Sequence, residues 1–310
     1  MRTAFKTVMY AAITGIVACA YLVWTPDTDP SRLNDKYAQA PSAFIKIAGT
    51  RVHFRDSGPQ NAPALVFLHG FGSSLHTWDH WSSSLEENYR VVRLDIPGFG
   101  LSGENDANDF SETHDLTVII GLLDHLRITK ASFIGNSLGG KLAWRMASAY
   151  PERVEKLVLI SPDGFASEGY TYDQPSHAPI MLHAMTIALP KPLLKMSLLP
   201  AYADPHSLSD AMLDRYHELM CAPGVRKNIV ARINQTILKD PLPMLKTIHA
   251  ETLVMWGERD AMIPVANAHD YINALPKSRL LILPNIGHLP QEEQPQLGLQ
   301  ALQTFLQSSD

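Results

Sequence analysis

The chain has 310 residues, 45% hydrophobic and 18% charged, enough apolar material for a large core. A net charge of −5 excludes the basic footprint of a nucleic-acid binder. With two cysteines (Cys19 and Cys221), no Cys/His cluster at metal-ligand spacing and no Gly-rich phosphate loop, the sequence implies no disulfide framework, no metal and no organic cofactor.

Arg2 and Lys6 precede residues 8–24, a run of 17 residues without a charge. As a helix this run would span about 25 Å, a little under the roughly 30 Å hydrocarbon core of a bilayer. Basic residues before it, with Asp27 and Asp29 after it, predict a signal-anchor with the bulk of the chain outside the cytoplasm, in the periplasm or cell envelope. Two alternatives stay open. Ala18-Cys19-Ala20 has the small-x-small form of a cleavage site, and residues 16–19 have the form of a lipobox, giving a secreted protein or a lipoprotein. The apolar residues after Cys19 favour the retained anchor. Residues 25–41, polar and proline-containing, read as a linker.

Residues 43–58 alternate apolar and polar around Gly49, the pattern of a β-hairpin. The continuous apolar runs "ALVFLHG" (64–70) and "YRVVRLDIPGFG" (89–100) read as buried parallel strands. Apolar residues recur at helical period over 111–127, at Leu116, Ile119, Ile120, Leu123 and Leu126. A strand, "KASFIGNS", is followed by a helix over 138–150 that stops at Pro151, and then by the strand "VEKLVLISPDG". From 165 to 247 the alternation stops, and a chain rich in Met, His, Leu and Pro reads as a helical cap. It resumes with "ETLVMWGERD", a helix over 264–274, "SRLLILPNIGH", and a last helix carrying Leu297, Leu299, Leu302, Phe305 and Leu306. This order predicts an α/β fold: a mostly parallel sheet with helices on both faces, built from 42–164 and 248–310, with the cap inserted at 165–247.

Gly135-Asn136-Ser137-Leu138-Gly139 is G-x-S-x-G between a predicted strand and a predicted helix. A turn that tight strains the serine backbone and leaves no room for side chains at the flanking glycines. It raises the serine hydroxyl above the sheet edge, at a helix N-terminus that favours an anion.

With this motif, "FLHGFGSS", "DIPGFGLSG", "YPERVEKLVLI" and "WGERD" make the chain resemble the α/β-hydrolase-fold family over roughly residues 43–306. The resemblance implies Ser137 as nucleophile, Asp260 as acid and His288 as base, with the backbone N–H groups of Phe71 and Leu138 as oxyanion hole. Asp163, after the preceding strand, is the alternative acid. His69 is expected to be structural, Asp95 to order its own turn, and His177, His183, His206 and His217 to lie on cap surfaces or line the pocket. Ser137 argues against the dehalogenase and epoxide-hydrolase branches, which place an aspartate there. "GNSLGG" resembles C–C bond hydrolases of aromatic degradation, but the loop His69-Gly70-Phe71-Gly72-Ser73-Ser74 departs from their H-G-x-G-P-G. The loop, the elbow and the apolar leader together are more similar to bacterial lipases and esterases and to membrane-anchored monoacylglycerol lipases. The expected activity is hydrolysis of carboxylic, lipophilic acyl esters, on a small-molecule ester or lipid, with the membrane as partner through the N-terminal segment. C–C hydrolysis and a non-catalytic binding role are the alternatives. Met181, Met185 and Met196 in the cap would either form an acyl pocket or pack the cap onto the core.

Overall fold

The computed structural model describes residues 24–103, 105–166 and 171–308. Within them, one eight-stranded sheet has the order β1-β2-β4-β3-β5-β6-β7-β8. The strands are β1 (Ser42–Ile47), β2 (Thr50–Ser57), β3 (Ala64–Leu68), β4 (Arg90–Leu94), β5 (Ala131–Asn136), β6 (Val154–Ile160), β7 (Glu251–Gly257) and β8 (Ser278–Leu283). β1 and β2 form an antiparallel hairpin, and β2 runs antiparallel to β4. All other pairings are parallel.

The helices are, in chain order, α1 (Pro30–Tyr37), α2 (Asp79–Leu85), α3 (Glu112–His125) and α4 (Leu138–Ala149), then α5 (Ile180–Met185), α6 (Lys191–Leu198), α7 (Asp210–Met220), α8 (Val225–Gln235) and α9 (Leu242–Leu245), and finally α10 (Asn267–Ala274), α11 (Pro290–Glu293) and α12 (Pro295–Gln307). α5 to α9 fall within 165–247, the stretch expected to form a helical cap.

A parallel sheet must be covered on both faces, and alternate residues of each strand supply the two cores. On one face, Val66, Leu68, Val92 and Phe133 pack with Leu116, Ile119 and Leu122 of α3, Leu142 and Trp144 of α4, and Tyr271 of α10. On the other, Leu65, Phe67, Val91 and Ile134 pack with Trp81 of α2 and with Leu299, Leu302 and Phe305 of α12. Ser111 caps α3 by accepting from the His114 N–H, and the helix ends just before Arg127, whose φ of 56° breaks the helical path. α10 starts at Asn267 rather than at 264, because residues 264–266 form a turn.

The linker expected at 25–41 is instead a packed segment. Asp29 caps α1 through its carboxylate, Pro30 opens the helix, and Leu33 and Tyr37 are buried against the body. Thr25 N–H and Thr28 N–H donate to the carbonyls of Ile187 and Cys221 in the cap. Asp-Pro-Ser is an N-cap followed by proline at N1, a helix-start signal that polar composition masks. Among the described residues no helix is long and apolar enough to cross a membrane. The anchor expected at 8–24 lies outside the described residues, except for Trp24.

Candidate active site

Ser137 stands between β5 and α4 with φ 54° and ψ −118°, a conformation costly for any residue but glycine. Its N–H donates to the Ile160 carbonyl at 3.0 Å, and its own carbonyl accepts from Lys141 and Asp163 N–H at 2.9 and 3.1 Å. A Cβ at Gly135 would lie 2.2 Å from the Gly139 carbonyl oxygen, and one at Gly139 would lie 2.1 Å from that of Leu68. The glycines therefore let the elbow close on itself and against the end of β3. Gly139→Ala is expected to cost about 3 kcal/mol or more in urea unfolding, whereas Gly103→Ala, with open space around it, stays within about 0.5 kcal/mol.

The loop after β3 passes directly over this turn: a Cβ at Gly70 would be 3.3 Å from the Ser137 Cβ. Leu138 supplies the first N–H of α4, a position with no intrahelical acceptor. Neither it nor the Phe71 N–H donates among the turn and cap hydrogen bonds of the described residues. His69 is buried and fixes the loop. Its Nδ1–H donates to the Gly70 carbonyl at 2.7 Å while Nε2 accepts the Ile96 N–H at 2.9 Å. That pattern requires a neutral ring, and burial pushes its pKa down. Asp95 accepts from His53 Nδ1 and from the N–H groups of Leu75 and Leu101, tying the loop that follows β4 to the segment that follows β3. Burial opposes its charge, but the His53 charge and hydrogen bond prevail and hold it at about 2.

Beyond β7, Asp260 Oδ2 lies 2.7 Å from His288 Nδ1. Asp260 Oδ1 accepts from Met262 and Ile263 N–H at 2.8 and 2.9 Å. Burial alone would raise this carboxyl; the His288 hydrogen bond and charge, with the Ile263 N–H, outweigh it and hold the pKa below the usual carboxylate value. The His288 loop is tied to its surroundings on three sides. Its carbonyl accepts Asn136 Nδ2 at 3.0 Å, next to Ser137. Its N–H donates to the Ala201 carbonyl at 2.8 Å, in the cap. Glu293 accepts from Gly287 N–H and, again in the cap, from Asp204 N–H, both at 2.7 Å. Ser137 Oγ makes no hydrogen bond to His288 among the described residues, a contact that commonly tightens only when substrate binds. The carboxylate of Asp163 sits 3.7 Å from Lys141 Nζ, not against His288. Of the cap histidines, His177, His183 and His206 are not buried, and His217 bonds to the Leu189 carbonyl.

Ser137, Leu138 and Phe71 open onto a cavity of about 670 Å³. Phe110, Ile233, Ile237 and Ile263 make its apolar side; Glu112, Lys141, Arg145 and Asp163 make a charged one. None of the three cap methionines lines it: Met181 and Met196 are exposed and Met185 is buried in the core. The motifs of the sequence do not point to Lys141 and Glu112. Lys141 lies one helical turn after Ser137, so its side of α4 was legible, but its partner Glu112, 2.7 Å away, comes from α3. Burial works against the Lys141 charge, and Asp163 and Glu112 overcome it, raising the pKa. The other cations on the wall are paired too: Arg145 with Glu112, Arg232 with Asp115, and Lys239 with Asp173.

A family profile described as alpha/beta hydrolase fold matches residues 63–295. The chain belongs to the α/β-hydrolase family. This α/β-hydrolase is 30% identical over 280 residues to the dihydrolipoyllysine-residue acetyltransferase component of the acetoin cleaving system of Pseudomonas putida, covering 87% of this chain and 70% of that one. It is 29% identical over 257 residues to a 2-hydroxy-6-oxo-6-phenylhexa-2,4-dienoate hydrolase of Burkholderia cepacia, covering 80% of this chain and 88% of the relative. Among solved structures, the meta-cleavage product hydrolase of Pseudomonas fluorescens IP01 superposes with a TM-score of 0.73 at 25% identity, over 85% of this chain and 97% of that one.

Proposed function

We propose that this α/β-hydrolase cleaves carboxylic esters with lipophilic acyl groups, using Ser137 as nucleophile, His288 as base and Asp260 as the acid that orients it. Ser137 Oγ attacks the ester carbonyl as His288 Nε2 takes its proton. The oxyanion forms against the N–H groups of Phe71 and Leu138. His288 then gives the proton to the departing alcohol, leaving an acyl-enzyme, and water repeats the cycle to release the acid. The observation that carries this reading is a strained, helix-terminal Ser137 that opens with Phe71 and Leu138 onto one cavity, together with an Asp260–His288 pair whose loop is bonded to Asn136, the residue before Ser137.

Two features support an ester over an anionic ring-cleavage product. Every cation on the cavity wall already faces a protein carboxylate, leaving none for a substrate carboxylate among the described residues. Phe71, Ile237 and Met262, which line the cavity, are also exposed apolar residues. The second reading, C–C bond hydrolysis, draws on the relatives that carry that activity in their names. We place the enzyme at a membrane through residues 8–24, with the catalytic domain outside the cytoplasm.

The test is a panel of p-nitrophenyl esters from acetyl to octanoyl, run beside 2-hydroxy-6-oxo-6-phenylhexa-2,4-dienoate, with fluorophosphonate labelling of the wild type. Turnover is expected to rise with acyl length, and Ser137 to take the label. Steady decline along the ester series would sink the lipophilic-ester reading, and preferential turnover of the dienoate would replace it with C–C hydrolysis.

A further inference from the structure

The cap presents an apolar face that catalysis does not use. α5, α6 and the turn between them leave Ile180, Met181, Ile187, Leu193 and Met196 between 46% and 85% exposed. Isolated apolar residues are normal on a surface; four on two consecutive short helices, with a fifth in the turn between them, are a patch. Residues 174–203 contain no Asp or Glu, and their only Lys or Arg residues are Lys191 and Lys195. Apolar and basic side chains without an acid among them suit the surface of an anionic bilayer.

The path of the chain points the same way. Thr25 N–H donates to the Ile187 carbonyl at 3.0 Å, and Thr25 Oγ1 accepts the Leu189 N–H at 2.9 Å. Trp24, 53% exposed, therefore emerges beside this patch, and it is the last residue of the charge-free run 8–24. Tryptophan favours the headgroup level of a bilayer. If that run enters lipid, these two bonds hold the α5–α6 turn at the point of entry.

We propose that the α5–α6 face of the cap rests on an anionic lipid bilayer, with its apolar residues at the headgroup–acyl boundary and Lys195 among the headgroups; Lys191 keeps its partner Asp214. The proposal rests on the reading that residues 8–24 enter a membrane.

The test uses the full chain carrying Cys19→Ser, with a nitrobenzoxadiazole label on Met181→Cys, Met196→Cys or, as control, Glu87→Cys. Glu87 is exposed just before β4, at the end of the sheet opposite the site, and the remaining Cys221 is buried. Vesicles of phosphatidylcholine and phosphatidylglycerol carry a nitroxide at the headgroup–acyl boundary. At positions 181 and 196 the nitroxide is expected to quench emission about twofold or more, with a blue shift, and at 87 to do neither. A chain that sediments with vesicles while 181 and 196 behave like 87 overturns the docking and leaves the anchor standing. A chain that stays in the supernatant overturns both. A blue shift without nitroxide quenching means protein covers the face, whether a second copy or the chain's own N-terminal residues, and overturns the proposal.

Discussion

Ser137→Ala is expected to lower kcat by a factor of about 10⁴ to 10⁶ and to abolish fluorophosphonate labelling. No other group in the site offers a hydroxyl at the N-terminus of α4, so removing this one removes the acyl-enzyme route itself. A small residual rate would remain from the oxyanion-hole N–H groups, which belong to the backbone and survive the substitution. The fold should survive as well. The strained φ of 54° is imposed by the Ile160, Lys141 and Asp163 backbone contacts, none of which involves the hydroxyl. Thermal unfolding should therefore move little while turnover collapses. A variant that keeps more than about 1% of wild-type kcat would rule out Ser137 as nucleophile.

Asp260→Asn is expected to lower kcat by about 10⁴, because an amide no longer enforces the tautomer in which His288 Nδ1 carries the proton, nor stabilises the imidazolium. Asp163→Asn is the matched control. Its carboxylate is partly exposed and 3.7 Å from Lys141, a weak interaction, so kcat should stay within about threefold. Equal losses in both variants would refute the assignment of the acid. The pair also differs in its response to acid. Asp260 has a folded-state pKa below its ordinary 3.8, so its ionisation stabilises the fold above about pH 4. That contribution is lost as pH falls through the folded value. In urea titrations between about pH 5 and 2, Asp260→Asn should show a shallower fall of stability than wild type. An unchanged slope would mean that Asp260 is not held in its charged form by His288.

Much of the site was legible because its signals are local. The elbow carries its signature in five consecutive residues, although the contacts that require its glycines reach to Leu68, and strand-then-helix alternation needs only the pattern of apolar positions. "WGERD" and "NIGH" could be placed after their strands for the same reason. The order of Ser137, Asp260 and His288 came from resemblance. Their approach is a property of the sheet, which brings the ends of β5 and β7 and the loop after β8 to one edge.

What the sequence by itself determined is the α/β class, the tight strand-to-helix turn at Ser137 and the helical character of residues 165–247, since each leaves a pattern in residues a few positions apart. The tertiary structure decided the rest. It set Asp260 against His288 and turned Asp163 toward Lys141, where motif context favours Asp260 and keeps Asp163 as the alternative. It put Lys141 against Glu112 of another helix, and left Met181 and Met196 on the surface instead of in the cavity. It folded residues 30–37 into a packed helix where composition suggested a tether. Charge pairing and burial depend on which distant segments meet, and periodicity along a chain carries no record of that meeting.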